Sequence, residues 1–205
     1  MKEQEIFKKY IDYHGNKLRE MGFDVKVVWN RRESQLIRFH TLCKMITKKS
    51  NFSILDIGSG LSDLYKYLLD TGHKDFQYTG YEINSEMVNA VRKKYPEIRV
   101  FNGSYNEIFL SGEKYDYIVA CGIHAFGESA ESVQNYFIEK YSRLYEQTQL
   151  AMGINFLSIY SPNPDTISVY HDPSDILRIC LKAFGPKVTL YHNYLPNDFT
   201  VIIEK

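Results

Sequence analysis

Residues 53–68 read SILDIGSGLSDLYKYL. The stretch enters on an apolar run, Ile54, Leu55 and Ile57, crosses Gly58-Ser59-Gly60, and leaves on Leu61, Leu64, Tyr65 and Leu68. A short continuous apolar run fits a strand covered on both faces. The spacing of three and four that follows fits one face of a helix. A strand that hands over to a helix through glycines is the opening turn of a βαβ unit.

Reading outward, the same alternation recurs. Strand-like runs lie at 76–83, 98–102, 115–122 and 150–158. Between them fall helical patterns: Met87, Val88, Val91 and Tyr95 after a capping Asn84, and Val133, Phe137, Tyr141 and Leu144 in 130–147. Strands that alternate with helices build a parallel sheet with right-handed crossovers. Ahead of the sheet, 3–22 reads as one helix. A second starts at NRRE, with Asn30 as cap, Glu33 completing a capping box, and Phe39, Leu42, Cys43 and Ile46 as its stripe. Past 158 the pattern changes. Asp172 and Pro173 start a helix through Ile176, Leu177, Cys180, Leu181 and Phe184, which Gly185-Pro186 stops. Two alternating runs then flank LPND (195–198), and strands joined by so short a turn are antiparallel. The expected fold is α/β: a doubly wound, mostly parallel seven-stranded sheet with an antiparallel C-terminal hairpin. The expected domains are an N-terminal helical cap or lid over 1–50 and a Rossmann-like domain over 51–205.

Glycines at the carboxyl end of a strand let a ligand approach the backbone, and the helix that follows offers free N–H groups and a partial positive charge. Such a turn suits a carboxylate, a phosphate or a ribose-bearing nucleotide, although Gly-x-Gly alone is equally a plain tight turn. Glu82, at the end of the second strand, adds a carboxylate able to accept both hydroxyls of a ribose. A dinucleotide site normally carries a third glycine three residues after the second, where this chain has Asp63.

The bulk composition narrows the classes. Lys plus Arg and Asp plus Glu both number 25 in 205 residues, which gives no general pull toward nucleic acid or an anionic membrane. No apolar run approaches the ~20 residues of a bilayer span, and the polar start MKEQEIFKKY does not read as a signal peptide. Cys43, Cys121 and Cys180 form no metal spacing and read as reduced thiols of a cytoplasmic protein.

With LDIGSG, the strand-end Glu82 and the reversed last strands in view, the chain resembles class I S-adenosylmethionine-dependent methyltransferases over roughly residues 30–205. WNRRESQLIRF, GSGLSDLYKYL, YTGYEINSEMV, YDYIVACGIHAF, YHDP and NDFTVII are similar to a small bacterial subgroup with no settled substrate. The resemblance implies S-adenosylmethionine as cofactor, with S-adenosylhomocysteine as product. It implies Asp56, Gly58, Ser59 and Gly60 beside the methionine part, Glu82 on the ribose, and Ile83 against the adenine. Gly103, Ser104 and Tyr105 would meet the adenine edge, and Cys121 and Gly122 would line the sulfonium side. Ser104 stands where the family usually has Asp, and Ser62 where it often has a third glycine.

Arg38 reads either as a solvated charge or as a fork for the cofactor's carboxylate, and the second reading is favoured. Trp29 either closes over the pocket or packs between helices, with Gln35 beside it. His124, after the fourth strand, and His171, in SVYHDP, are the candidate catalytic bases; Trp29, Tyr160 and Tyr170 are candidate acceptor contacts. No metal site is expected. An NPPY-type motif is absent after the fourth strand, which argues against nucleic-acid bases as acceptors. The function expected is methyl transfer to a hydroxyl or amine of a small metabolite, in surface-carbohydrate or secondary metabolism, by a monomer or homodimer without membrane or nucleic-acid partners. An NAD-type oxidoreductase and a non-catalytic cofactor-binding protein stay open as alternatives.

Overall fold

A computed structural model describes residues 3–29, 31–125, 127 and 129–205. Its strands are β1 (Ser50–Ile57), β2 (Lys74–Glu82), β3 (Arg99–Asn102), β4 (Tyr115–Ala120), β5 (Thr148–Leu157), β6 (Val188–Leu195) and β7 (Asp198–Glu204). They form one seven-stranded sheet in the order β3-β2-β1-β4-β5-β7-β6. The first five are parallel, and β7 runs antiparallel to both β5 and β6. The order reverses between β1 and β4, which opens a crevice above their carboxyl ends.

Helices cover both faces. α2 (Arg32–Leu42), α3 (Asp63–Asp70) and α4 (Ser85–Lys94) bury Phe39, Leu42, Leu64, Leu68, Met87 and Val91 against Ile54 and Val119. α5 (Tyr105–Ser111), α6 (Ala130–Gln147) and α7 (Pro173–Phe184) bury Ile108, Phe137, Tyr141, Ile176 and Cys180 against Leu55 and Ile118. Adjacent residues Ile54 and Leu55 thus serve opposite cores, and this is why the strands read as unbroken apolar runs. α1 (Glu3–Met21) lies outside this sandwich, over the start of α4. There Asn84 Nδ2 donates to the Ile11 carbonyl at 3.2 Å, and Arg19 pairs with Glu86.

Local chemistry explains the boundaries. Asn84 accepts from the N–H groups of Glu86 and Met87, and Asp172 from that of Ser174. The second helix begins later than the sequence suggests: Arg31 stands at its cap with no side-chain cap bond, and Asn30 lies outside the described residues. It also ends at Leu42, giving way to a 3-10 turn over Cys43–Met45. α5 follows β3 where the sequence pattern marked no element. It is short, so its periodicity is faint, but Ser104 and Glu107 form a reciprocal capping box. β4 stops at Ala120, short of the expected 122. Asp198 belongs to β7, which leaves Pro196 and Asn197 as the turn.

Candidate active site

The crevice is built from the ends of β1, β2 and β4. Gly58 and Gly60 hold φ of +67° and +54°, conformations that side chains resist. A Cβ on Gly58 would stand 2.3 Å from the Ile123 Cγ2 methyl, and one on Gly60 would stand 3.2 Å from Val28 Cγ2. Ser62 takes φ +56° as well, so serine performs the left-handed bend at a position where a third glycine is common in the resembling family.

Glu82 closes the turn from the neighbouring strand. Its Oε2 accepts from the Gly60 N–H at 2.9 Å, and its Oε1 accepts from the Asn84 N–H at 2.8 Å. The Tyr10 hydroxyl of α1 donates to the same carboxylate. The side chain is 1% exposed. Burial raises its pKa above the ordinary carboxylate value, against the pull of these donors. Asp56, one strand away, accepts from Tyr78 Oη at 2.5 Å, and burial pushes it up to about 7. Asp63 at the head of α3 holds Gln35 Nε2 at 2.8 Å and Arg32 at 3.5 Å. Three carboxylates around one crevice favour a cationic guest.

A narrow cavity remains between Val28, Trp29, Gln35, Asp56, Gly58 and Cys121. Trp29 roofs it: its ring edge lies where a Cβ on Gly122 would meet it at 3.0 Å, and the Arg38 guanidinium sits 4.9 Å above its ring. Arg38 is 6% exposed, so the solvated-charge reading does not hold. Its Nε and Nη2 donate to Asp198, which leaves Nη1 outside the ion pair. Asn155 Nδ2 reaches Asp198 and the Tyr194 hydroxyl, both at 3.1 Å. This polar group at the end of β5 and the start of β7 was not read from the sequence; its members are far apart in the chain and carry no shared motif.

The structure brings together Asp56, Gly58, Ser59, Gly60, Glu82, Cys121, Gly122 and Trp29. Ile83 is partly exposed beside Asn102, whose Nδ2 donates to its carbonyl at 2.9 Å. Ser104 caps α5, and Tyr105 is buried with its hydroxyl 3.4 Å from that of Tyr141. Both candidate histidines lie in the core. His124 Nε2 is 3.0 Å from Tyr141 Oη, its ring stacks on Phe156 at 4.9 Å, and burial drives its pKa down to about 3. His171 Nε2 donates to the His124 carbonyl at 3.2 Å, and burial lowers this imidazole too. Tyr170 Oη accepts from the Asp165 N–H, while Tyr160 stands exposed on the loop after β5, its ring 5.9 Å from that of His192. Burial raises the Cys121 thiol, so it is not a ready nucleophile. Among the described residues no cluster of His, Cys, Asp and Glu is arranged to hold a metal, and no helix is long and apolar enough to cross a membrane.

Residues 54–144 match the family described as a methyltransferase domain. A Mycobacterium tuberculosis protein named "Putative methyltransferase Rv1506c" is 27% identical over 172 residues, spanning 79% of this chain and 98% of its own. Magnesium protoporphyrin IX methyltransferase from Synechocystis PCC 6803, solved with bound S-adenosylhomocysteine, superposes with a TM-score of 0.69 at 13% identity over 99% of this chain and all of its own. Human N-acetylserotonin methyltransferase, solved with S-adenosylmethionine, gives 0.67 at 13% identity over 100% of this chain and 60% of its own. The two structural likenesses speak for the fold, and the matched segment covers β1 to α6, where the crevice is built. In its sheet order, its matched segment and its relative, the chain is similar to the S-adenosylmethionine-dependent methyltransferases.

Proposed function

We propose that this protein transfers the methyl group of S-adenosylmethionine to a hydroxyl or amine of a small metabolite. The observation that carries the reading is Glu82, a buried carboxylate at the end of β2 held against the Gly60 N–H. In this reading Glu82 takes the ribose hydroxyls, Ile83 the adenine face, and Ser104 and Tyr105 the adenine edge. Asp56 and the turn Gly58-Ser59-Gly60 hold the amino-acid tail. Arg38 Nη1, free of the Asp198 pair, is available to the tail's carboxylate, and Cys121 and Gly122 border the sulfonium. The acidic surround supports a guest that carries both an ammonium and a sulfonium.

The chemistry the cofactor supplies when bound is an activated methyl group on a sulfonium. The chain's share is position and dryness: Trp29 and Val28 roof the crevice, and in-line geometry follows from holding both partners against the β1 and β4 ends. Residues 1–50 act as the cap. A base is needed only for an acceptor that must lose a proton. With both imidazoles buried, His124 and His171 are assigned to positioning the loops after β4 and β5, where Tyr160 and Tyr170 would meet the acceptor. The neutral overall charge supports a small acceptor rather than nucleic acid.

Calorimetric titration with S-adenosylhomocysteine is the test. Saturable binding that weakens at least tenfold in Glu82→Ala is expected, since two charge-assisted hydrogen bonds are lost. Absence of binding to the wild type, or an affinity indifferent to Glu82→Ala, removes the reading. A panel of hydroxyl and amine acceptors, followed by product mass, then separates O- from N-methylation.

A further inference from the structure

The crevice is furnished from the N-terminal side as though a guest were already there. Tyr10 donates its hydroxyl to Glu82. Val28 presses on the Gly60 backbone, and Trp29 presses on Gly122. These side chains belong to one continuous piece of chain. α1 is tied to the 3-10 turn Val25–Val27 by His14 Nδ1, 2.6 Å from the Val27 carbonyl, and that turn leads directly into Val28 and Trp29. The piece is held to the domain at both ends: α1 by Asn84 on the Ile11 carbonyl, by Arg19 on Glu86 and by the phenol on Glu82, and the turn after it by Val27 buried in the core, Phe23 against Tyr95 and Trp29 against Phe39. The three polar contacts of α1 all fall within the Glu82–Glu86 segment that ends β2 and starts α4.

We infer that Tyr10 is a stand-in for the cofactor's ribose: it holds Glu82 through a hydroxyl, as a sugar would, while Val28 lies over Gly60 and Trp29 over Gly122, so that nucleoside binding exchanges phenol for sugar and shifts α1 off Glu82 beneath the retained roof. This rests on the reading of Glu82 as the ribose acceptor. A carboxylate buried at this depth needs its donors. Tyr10 supplies one in the closed arrangement, and a ribose hydroxyl supplies its replacement. With the phenol in place Glu82 is satisfied, so the cofactor competes with a residue of the protein itself. A competing internal contact lowers apparent affinity by the fraction of time the crevice is closed.

Trp29 is the sole tryptophan, so its emission reports this segment directly. Wild type, Tyr10→Phe and Val28→Ala are titrated with S-adenosylhomocysteine, followed by calorimetry and by Trp29 fluorescence. The expected result is a shift in Trp29 emission on saturation, with the affinity of Tyr10→Phe rising about fivefold, the worth of one hydrogen bond no longer competing. Val28→Ala, which frees space over Gly60, tightens binding in the same direction and serves if Tyr10→Phe fails to fold. A purely structural Tyr10 would weaken binding when removed, not strengthen it. Normal binding with unchanged or weaker affinity in Tyr10→Phe overturns the stand-in and leaves the cofactor reading intact. No saturable heat with any of the three proteins overturns both.

Discussion

Arg38 of α2 and Asp198 of β7 lie 160 positions apart in sequence and meet as a two-point ion pair with almost no solvent access. The guanidinium meets that carboxylate along its edge and sits 4.9 Å from the Trp29 ring centroid. Removing one partner leaves a buried charge uncompensated, which costs about 3–5 kcal/mol. Asp198→Ala is therefore expected to lower the urea-unfolding free energy by that amount, and Arg38→Met added to it to recover most of the loss. A single Asp198→Ala within about 0.5 kcal/mol of wild type, on the scale of surface substitutions, would mean that solvent reaches the pair.

If Asp56 holds the cofactor's ammonium as proposed, binding carries a pH dependence. Burial holds its carboxyl up to about 7, so it is mostly protonated at pH 6 and mostly ionised at pH 8. An ammonium guest prefers the ionised form. Affinity for S-adenosylhomocysteine should rise about tenfold from pH 6 to pH 8 as the ionised fraction grows. Asp56→Asn should flatten that profile. A wild-type profile already flat between pH 6 and 8 would place the ammonium elsewhere.

His124 gives stability a pH dependence. In the folded protein it stays neutral down to about pH 3, whereas in the unfolded chain it takes a proton near 6.5. Below pH 6.5 the unfolded state therefore binds more protons, and stability falls as pH drops toward 3. The slope approaches about 1.4 kcal/mol per pH unit for this one group. His124→Phe keeps the ring against Phe156 and gives up the contact with Tyr141. It should be less stable than wild type at pH 7.5, yet lose less on acidification to pH 5. Denaturant melts at the two pH values read the difference, and parallel losses would contradict it.

What could be read from the sequence was local. Gly58, Gly60 and Glu82 belong to consecutive strands, and the residues between them spell one helix, so their meeting follows from a single βαβ unit. Capping patterns were a less certain guide. The box at Asn30 and Glu33 fits the rule as well as Ser104 and Glu107 do, yet the second helix starts from Arg31, and the box at Ser104 opens a helix too short to announce itself. Tyr10 on Glu82 and Arg38 on Asp198 were out of reach for a different cause. Each joins an N-terminal helix to a strand far along the chain, and nothing near Tyr10 or Asp198 marks its partner. His124 occupied the expected place after β4, but the neighbouring sequence does not reveal which way a ring turns on a short 3-10 segment. Here it turns inward to Tyr141 and Phe156.

β7 follows β5 and β6 in the chain but is wedged between them in the sheet. The right half of the sheet therefore cannot be laid down in the order of synthesis. While β7 is undocked, Arg38 has no counter-charge, and α2 would carry a bare guanidinium toward an apolar interior. The Arg38 guanidinium that lies over Trp29 thus gains its counter-charge from the hairpin. Completion of the crevice is thereby tied to the last strand of the sequence.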